Sequence, residues 1–176
     1  MRYTATAKWL HWIVAALVIA NLALGLWMVD LPGITPTKLR SFNWHKWVGV
    51  TVFMLATLRL LWRLGHAAPP LPAGMREWER RGAQAAHVLL YALLFALPLS
   101  GYFYSLSTGY PVVLFGMLPL PVLMGPDPVL KPLLVGLHHV LAWAMLVLVA
   151  LHAVAALKHH LVERDDVLRR MLPQRR

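Results

Sequence analysis

Apolar residues run along this chain in four long stretches, separated by short polar or proline-containing segments. Each stretch has about 20 residues, which as an α-helix covers a bilayer hydrocarbon core of roughly 30 Å. Only a helix or a closed barrel satisfies its own backbone hydrogen bonds in lipid, so the pattern predicts four transmembrane helices. The predicted spans are approximately 9–28, 44–63, 85–105 and 133–157.

The connection before the fourth span is also apolar, from Tyr110 to Val129, but it contains five prolines. Proline inside a helix removes a hydrogen bond and clashes with the preceding turn, so a fifth span is not expected. We expect this connection to cap one end of the bundle on the bilayer surface. The predicted fold class is an all-α membrane protein, with residues 1–176 forming a single integral-membrane domain of four helices.

Composition supports lipid as the main solvent. Hydrophobic residues make up 59% of the chain and charged residues only 14%, with a mean hydropathy of +0.60. A soluble surface could not accommodate so much apolar area. The chain has no cysteine, which excludes disulfides and thiolate metal ligands.

Charge gives the orientation. The chain has seventeen Lys and Arg residues and seven acidic residues, which gives a formal net charge of +10. The excess lies in the termini and the second connection, so the positive-inside rule places both termini in the cytoplasm and gives no reason to expect nucleic-acid binding. The basic residues of the predicted cytoplasmic side are Arg2, Lys8, Arg59, Arg63, Arg76, Arg80, Arg81, Lys158, Arg164, Arg169, Arg170, Arg175 and Arg176. Those of the outer side are Lys38, Arg40, Lys46 and Lys131.

Histidines recur at matching depths in the predicted helices. His138 and His152 are fourteen residues apart, about 40° short of four full turns, so they share one helix face roughly 21 Å apart along the axis. With the helices alternating in direction, His11 lies at the inner depth with His152, and His45 at the outer depth with His138. Ionisable groups at such positions indicate a functional site.

Two facing histidines at each of two depths are what two bis-histidine haems b require. Zinc is disfavoured, because it prefers several ligands close together and this chain has no His-Glu-x-x-His run. His139, one residue from His138 and rotated by 100°, is an alternative ligand in its place.

Other polar residues have weaker predicted roles. Arg59 is fourteen residues from His45 and is expected to reach a propionate of the inner haem, with Arg63 either a second such ligand or extended to the headgroups. His87 is expected in the inner leaflet without a depth-matched partner, where it either binds a quinone carbonyl or is structural. We expect His159 and His160 to form a solvated polar helix end.

Several segments of the chain are distinctive: Lys-Trp-Leu-His11-Trp, Asn-Trp-His45-Lys-Trp-Val-Gly49, Arg59-Leu-Leu-Trp-Arg63-Leu, Ala-His87-Val-Leu-Leu-Tyr91, His152-Ala-Val-Ala-Ala-Leu-Lys158-His159-His160 and Arg164-Asp165-Asp166-Val-Leu-Arg169-Arg170-Met171-Leu172-Pro173. Together they resemble the bacterial cytochrome b561 family along almost the whole chain. That resemblance implies a four-helix inner-membrane cytochrome with two haems b, one held by the first and fourth helices through His11 and His152, the other by the second and fourth through His45 and His138.

Length and layout are similar to the superoxide oxidases of that family. This implies oxidation of superoxide to dioxygen at the outer face and electron transfer to ubiquinone, with Lys38, Arg40, Lys46 and Lys131 attracting the anion. Two alternatives stay open: an electron-relay subunit for a partner dehydrogenase or hydrogenase, and a haem-free, histidine-rich metal carrier.

Overall fold

The structure, a computed structural model, describes residues 2–72 and 74–172. Four long helices contain the four predicted spans, and each is long and apolar enough to cross a membrane. The prediction of a four-helix membrane bundle is confirmed. The elements are α1 (Ala5–Val29), α2 (Pro36–Gly65), α3 (Glu77–Ser107), β1 (Val113–Leu114), β2 (Leu118–Pro119), α4 (Leu130–Leu161) and α5 (Val167–Met171).

The helices are longer than the apolar stretches that predicted them, because their polar ends also take helical geometry. α2, α3 and α4 have 30, 31 and 32 residues, about 45–48 Å of helix against a hydrocarbon core of roughly 30 Å. Caps stabilise these ends. The Thr35 hydroxyl accepts a hydrogen bond from the Lys38 amide at 3.2 Å, and the Asp127 carboxylate accepts from the Val129 and Leu130 amides at the start of α4.

Contacts at the two ends show that the helices run up and down in turn. At the end that holds the N-terminus, Trp62 Nε1 on α2 donates to Thr4 Oγ1 at 2.9 Å, and Lys158 on α4 pairs with Glu79 on α3 at 2.5 Å. α5 lies at the same end. This end therefore carries the N-terminus, the α2–α3 connection and the described part of the C-terminal tail; Arg175 and Arg176 lie outside the described residues.

The long helices pack in chain order: α1 against α2, α2 against α3, and α3 against α4. In the described residues, α4 makes few or no close backbone contacts with α1 and α2, which leaves side-chain space between them. A small apolar core occupies the middle of this space. At the centre of this core lies Met145, which is 1% exposed and is seven residues from both His138 and His152. The core consists of Val14, Val18, Val52, Ala56, Leu94 and Met145.

The connection after α3 forms a short hairpin in which Val113 pairs with Pro119. It folds back along the side of the bundle: Trp47 Nε1 donates to the Val113 carbonyl at 2.7 Å, and the Tyr102 hydroxyl donates to the Pro121 carbonyl. It therefore covers the flank of α2 and α3, and not simply the end of the bundle as the sequence analysis expected. The hairpin was not anticipated because proline-rich apolar sequence carries no strand periodicity.

Candidate functional site

One histidine pair lies toward the end of the bundle that carries the hairpin; we call it the outer pair. The rings of His45 on α2 and His138 on α4 have centroids 6.1 Å apart and nearly perpendicular planes, at 84°. The side chain of His139 points away and is exposed, so the structure brings His138 to His45 and not its neighbour.

A hydroxyl orients one imidazole of the outer pair. Ser100 Oγ on α3 donates to the Leu97 carbonyl at 2.7 Å and lies 3.0 Å from His138 Nδ1. Because the hydroxyl hydrogen is used, the oxygen accepts from a protonated Nδ1, which leaves the Nε2 lone pair of His138 free to bind a metal.

Glycines let both imidazoles of the outer pair lie against a neighbouring helix. A Cβ at Gly25 of α1 would lie 3.0 Å from His45 Cε1, and a Cβ at Gly101 of α3 would lie 2.9 Å from His138 Cε1. Sequence reasoning missed both residues, although a glycine within a transmembrane span is a signal for close packing. Gly49, four residues after His45, faces Asn21 instead: a Cβ there would lie 3.8 Å from the side-chain amide nitrogen of Asn21.

The other histidine group lies toward the end that carries the N-terminus; we call it the inner cluster. His11 on α1 and His152 on α4 have ring centroids 6.2 Å apart, with planes at 73°. His87 on α3 joins them, its centroid 5.6 Å from that of His152. Because His152 already faces His11, His87 is a third histidine at this depth without a histidine of its own, and the rotation of α3 aims it at α4.

The spacing of the histidines suits a metal bound between two imidazoles. A metal–nitrogen bond is about 2.0–2.1 Å, and an imidazole nitrogen lies about 1.1 Å from its ring centre for ordinary ring bond lengths. Two rings on opposite sides of one ion thus have centroids about 6.3 Å apart. His11–His152 at 6.2 Å and His45–His138 at 6.1 Å match this distance.

Two further observations agree with a flat cofactor in each place. His45 Nδ1 is buried and has no hydrogen-bond partner in the described part of the chain. In addition, among the described residues the close backbone contacts of α4 are mainly with α3 and α5, and not with α1 or α2, which carry the histidines that face His152 and His138. These residues therefore fit haem.

A zinc-like cluster is not formed by these histidines. Among residues 2–72 and 74–172, the group of ligand atoms within 4.8 Å of one another comprises His159, Glu163 and Asp165. His159 Nδ1 lies 2.6 Å from the Glu163 carboxylate and 2.7 Å from that of Asp165, which are hydrogen-bond distances. His159 is 9% exposed, so the expectation of a solvated helix end is wrong for this residue.

Two arginines lie beside the inner cluster. Cζ of Arg59 is 5.3 Å from the centroid of the Tyr91 ring, and Cζ of Arg63 is 5.8 Å from it. Both line a small cavity with Trp62 at the inner end of α2. Within the described residues, neither arginine pairs with a carboxylate.

The basic residues at the outer end differ in their accessibility. The Lys38 ammonium donates to the Leu31 carbonyl at 2.6 Å and so closes the C-terminal end of α1. Lys46 is half-buried, while Arg40 and Lys131 are exposed. Of the four basic residues predicted to attract an anion, Arg40 and Lys131 are thus the most accessible to one in solution.

The fold and the site define a class: a four-helix membrane protein with two pairs of facing histidines at different depths. The family model for prokaryotic cytochrome b561 matches residues 2–174. The chain belongs to the prokaryotic cytochrome b561 family, as the sequence resemblance predicted. It is therefore a bacterial multi-pass membrane protein of electron transport, in a family of oxidoreductases that implies haem b.

Curated relatives cover nearly the whole chain. Cytochrome b561 homolog 2 of Escherichia coli (strain K12) is 37% identical over 97% of this chain and 91% of its own length. Cytochrome b561 homolog 1 of the same organism is 30% identical over 99% of both chains. The probable superoxide oxidase CybB of Yersinia pestis is 29% identical over 99% of this chain and 98% of its own length.

Proposed function

We propose that this protein holds two haems b and passes single electrons between the outer face of the bacterial inner membrane and ubiquinone. His11 and His152 hold one haem and His45 and His138 hold the other. The observation that carries this proposal is the pair of imidazole separations, 6.2 and 6.1 Å, at two depths of one bundle.

The inner cluster lies on the cytoplasmic side in this proposal, and both termini are cytoplasmic. The support is the distribution of charge: the helix ends beside the N-terminus carry most of the Lys and Arg residues of the chain. Positively charged residues beside membrane spans stay on the cytoplasmic side during insertion, so this asymmetry favours one orientation.

When bound, the two haems supply one-electron carriers at two depths. The protein's own residues orient and insulate them. Ser100 fixes the tautomer of His138, and the apolar core around Met145 excludes water from the space between the two levels. Arg59 brings a positive charge to the inner level, where it can bind a propionate, with Arg63 as a second cation.

We propose superoxide as the electron donor and ubiquinone as the acceptor. Two superoxide anions lose one electron each to give two molecules of dioxygen; ubiquinone takes both electrons and two protons to give ubiquinol. Arg40 and Lys131, with the half-buried Lys46, favour the approach of an anion to the outer level. His87 is the candidate donor of a hydrogen bond to a quinone carbonyl.

The haem content tests the first part of this proposal. A detergent-purified sample should have a b-type visible spectrum, with two haems per chain by pyridine extraction. His11→Ala or His152→Ala should remove one haem and spare the other, while the exposed His139→Ala, the matched control, should keep both. A folded protein without a b-type spectrum would instead favour a metal carrier.

The donor and acceptor need a separate assay. Superoxide and a soluble ubiquinone are supplied to the isolated, haem-loaded chain, and quinone reduction is compared with the direct reaction between the two reagents. Reduction well above that background supports a self-sufficient oxidoreductase. A rate equal to background, with both haems in place, would indicate a relay subunit that needs a protein partner.

A further inference from the structure

Arg59 is a cation within a membrane-spanning helix, and such a charge is costly unless a partner stabilises it. In the part of the chain that the structure describes, it makes no ion pair and no side-chain hydrogen bond. Its side chain is half-buried. Apart from the haem propionate of the proposed function, the group that holds Arg59 is therefore not an acid or a hydrogen-bond acceptor of the described chain.

The ring of Tyr91 on α3 is that group. The 5.3 Å between Cζ of Arg59 and the ring centroid is within the range of cation–π attraction, which strengthens where water is excluded. Arg63, four residues further along α2, is 5.8 Å from the same centroid. The spacing of four residues places both guanidinium groups on one face of α2, where they repel each other and share the Tyr91 ring.

The position of Arg59 matters for the inner cluster. Arg59 lines the same cavity as Ala7, which lies one turn before His11 on α1, and Tyr91 lies one turn after His87 on α3, so the guanidinium is at the level of the inner cluster. The outer pair has the half-buried Lys46 next to His45, but among the described residues no cation stacks on an aromatic ring there. A positive charge beside a redox centre favours its reduced form, so the two levels differ in electrostatic environment.

We infer that Tyr91 is a positioning residue: its ring holds the Arg59 guanidinium against the inner cluster and thereby raises the reduction potential of the inner haem relative to the outer one. This inference rests on the proposed haem between His11 and His152. It assigns to α3 a role in electron transfer that requires no contact between Tyr91 and the haem.

An equilibrium redox titration of the purified, haem-loaded protein tests the inference, because it resolves the two haems without turnover. A unit charge within about one helix diameter, at an effective dielectric constant of about 20, changes an equilibrium about tenfold. Tyr91→Leu should therefore lower the reduced-to-oxidised ratio of the inner haem about tenfold at a fixed potential, or about 59 mV for one electron. The outer haem is the internal reference and should not move.

Further variants separate the effect of the aromatic ring from that of the hydroxyl and of local packing. Tyr91→Phe keeps the ring and should leave both potentials unchanged. Arg59→Gln should shift the inner haem at least as far as Tyr91→Leu, and the double variant should add nothing to Arg59→Gln, since Tyr91 acts through Arg59. Phe95→Leu is the matched control: it removes a ring one turn along α3 that packs on Phe53 and should move neither potential.

A second measurement does not depend on haem. Arginine modification with phenylglyoxal in native membranes, mapped by mass spectrometry, should label Arg59 several-fold faster in Tyr91→Leu than in the parent or in Tyr91→Phe. If Tyr91→Leu does not retain both haems, Tyr91→Met, of similar volume and without a ring, takes its place in the titration.

The inference is overturned if Tyr91→Leu leaves the inner potential unchanged while Arg59→Gln shifts it, or if Tyr91→Phe shifts it as far as Tyr91→Leu. Either result leaves the two haems in place and the proposed function intact. Failure of the proposed function has a different signature, which is the absence of a haem that depends on His11 and His152.

Discussion

The outer pair and the inner cluster each hold two imidazole rings about 6 Å apart, but different neighbouring residues position the rings in each. The outer pair relies on shape: Gly25 and Gly101 let the rings lie against neighbouring backbones, and Ser100 fixes one of them. The inner cluster relies on charge, since it adds a third histidine and a cation and opens beside a cavity.

This difference indicates that one bundle can hold two chemically similar sites that tolerate substitutions unequally. A site built on close backbone contact should fail when a single methyl group is added. A site built on polar groups should keep its cofactor when one polar group is lost, and change its electrostatics or its substrate contacts instead.

The largest expected effect is at Gly101. Gly101→Ala places a Cβ 2.9 Å from His138 Cε1, which real contacts do not allow, so the ring has to move. We expect loss of the outer haem and retention of the inner one, measured by pyridine extraction and the reduced spectrum. Gly136→Ala on α4, where nothing lies within 4 Å, is the control and should keep both haems.

Ser100→Ala should have the next largest effect. It removes the acceptor for His138 Nδ1, and loss of such a partner usually weakens metal binding about 10–100-fold. Haem titration of the apoprotein measures this loss. Ser107→Ala removes a buried hydroxyl that bonds the Tyr104 carbonyl on the same helix, and should leave haem affinity unchanged. Equal losses in both variants would indicate general destabilisation of α3.

His87→Phe sharpens the comparison from the inner side. In our proposal it retains both haems, because His11 and His152 are intact, but it loses one hydrogen bond to quinone. Such a bond is worth about 1–1.5 kcal/mol, so quinone reduction should slow about tenfold. Stopped-flow oxidation of the reduced protein by a soluble ubiquinone gives the rate. An unchanged rate with both haems present would leave His87 a structural residue.

The smallest expected effect is that of a substitution in α5, which lies beside the inner cluster. Arg170 donates to the Pro70 carbonyl at 2.6 Å and pairs with Asp166 at 2.8 Å, and it holds the pKa of that carboxyl below its usual range. The pair is present at neutral pH and is lost as the pH falls through the lowered pKa of Asp166. Arg170→Met should remove this ion pair at pH 7 together with the hydrogen bond to the Pro70 carbonyl.

Because Asp166 is exposed and Arg170 only partly buried, the contribution of this ion pair is small. We expect amide exchange in residues 167–171 to become only a few-fold faster and exchange at the outer pair to stay unchanged. Hydrogen–deuterium exchange measures both rates. Faster exchange around His138 would contradict the separation of the two levels. The exposed pair Arg81–Glu77 offers the control, since Arg81→Met removes a similar ion pair elsewhere.

Much of the fold could be predicted from sequence because a bilayer imposes a length and a polarity on each helix. The four spans were right, and the rise per residue paired His11 with His152 and His45 with His138 by depth before any contact was known. The polar helix ends, the hairpin and α5 were missed, since outside the hydrocarbon the polarity pattern no longer constrains the chain.

The sequence by itself determined the spans, the relative depths of the histidines and the charge asymmetry, because rise per residue and hydropathy are properties of a single helix. The tertiary structure decided rotation: which of His138 and His139 faces α2, that Gly25 and Gly101 lie against the imidazoles, that His87 meets His152, and that Tyr91 meets Arg59. Rotation depends on how side chains of neighbouring helices pack together, and one residue changes the direction by 100°. Periodicity along one helix does not contain that information.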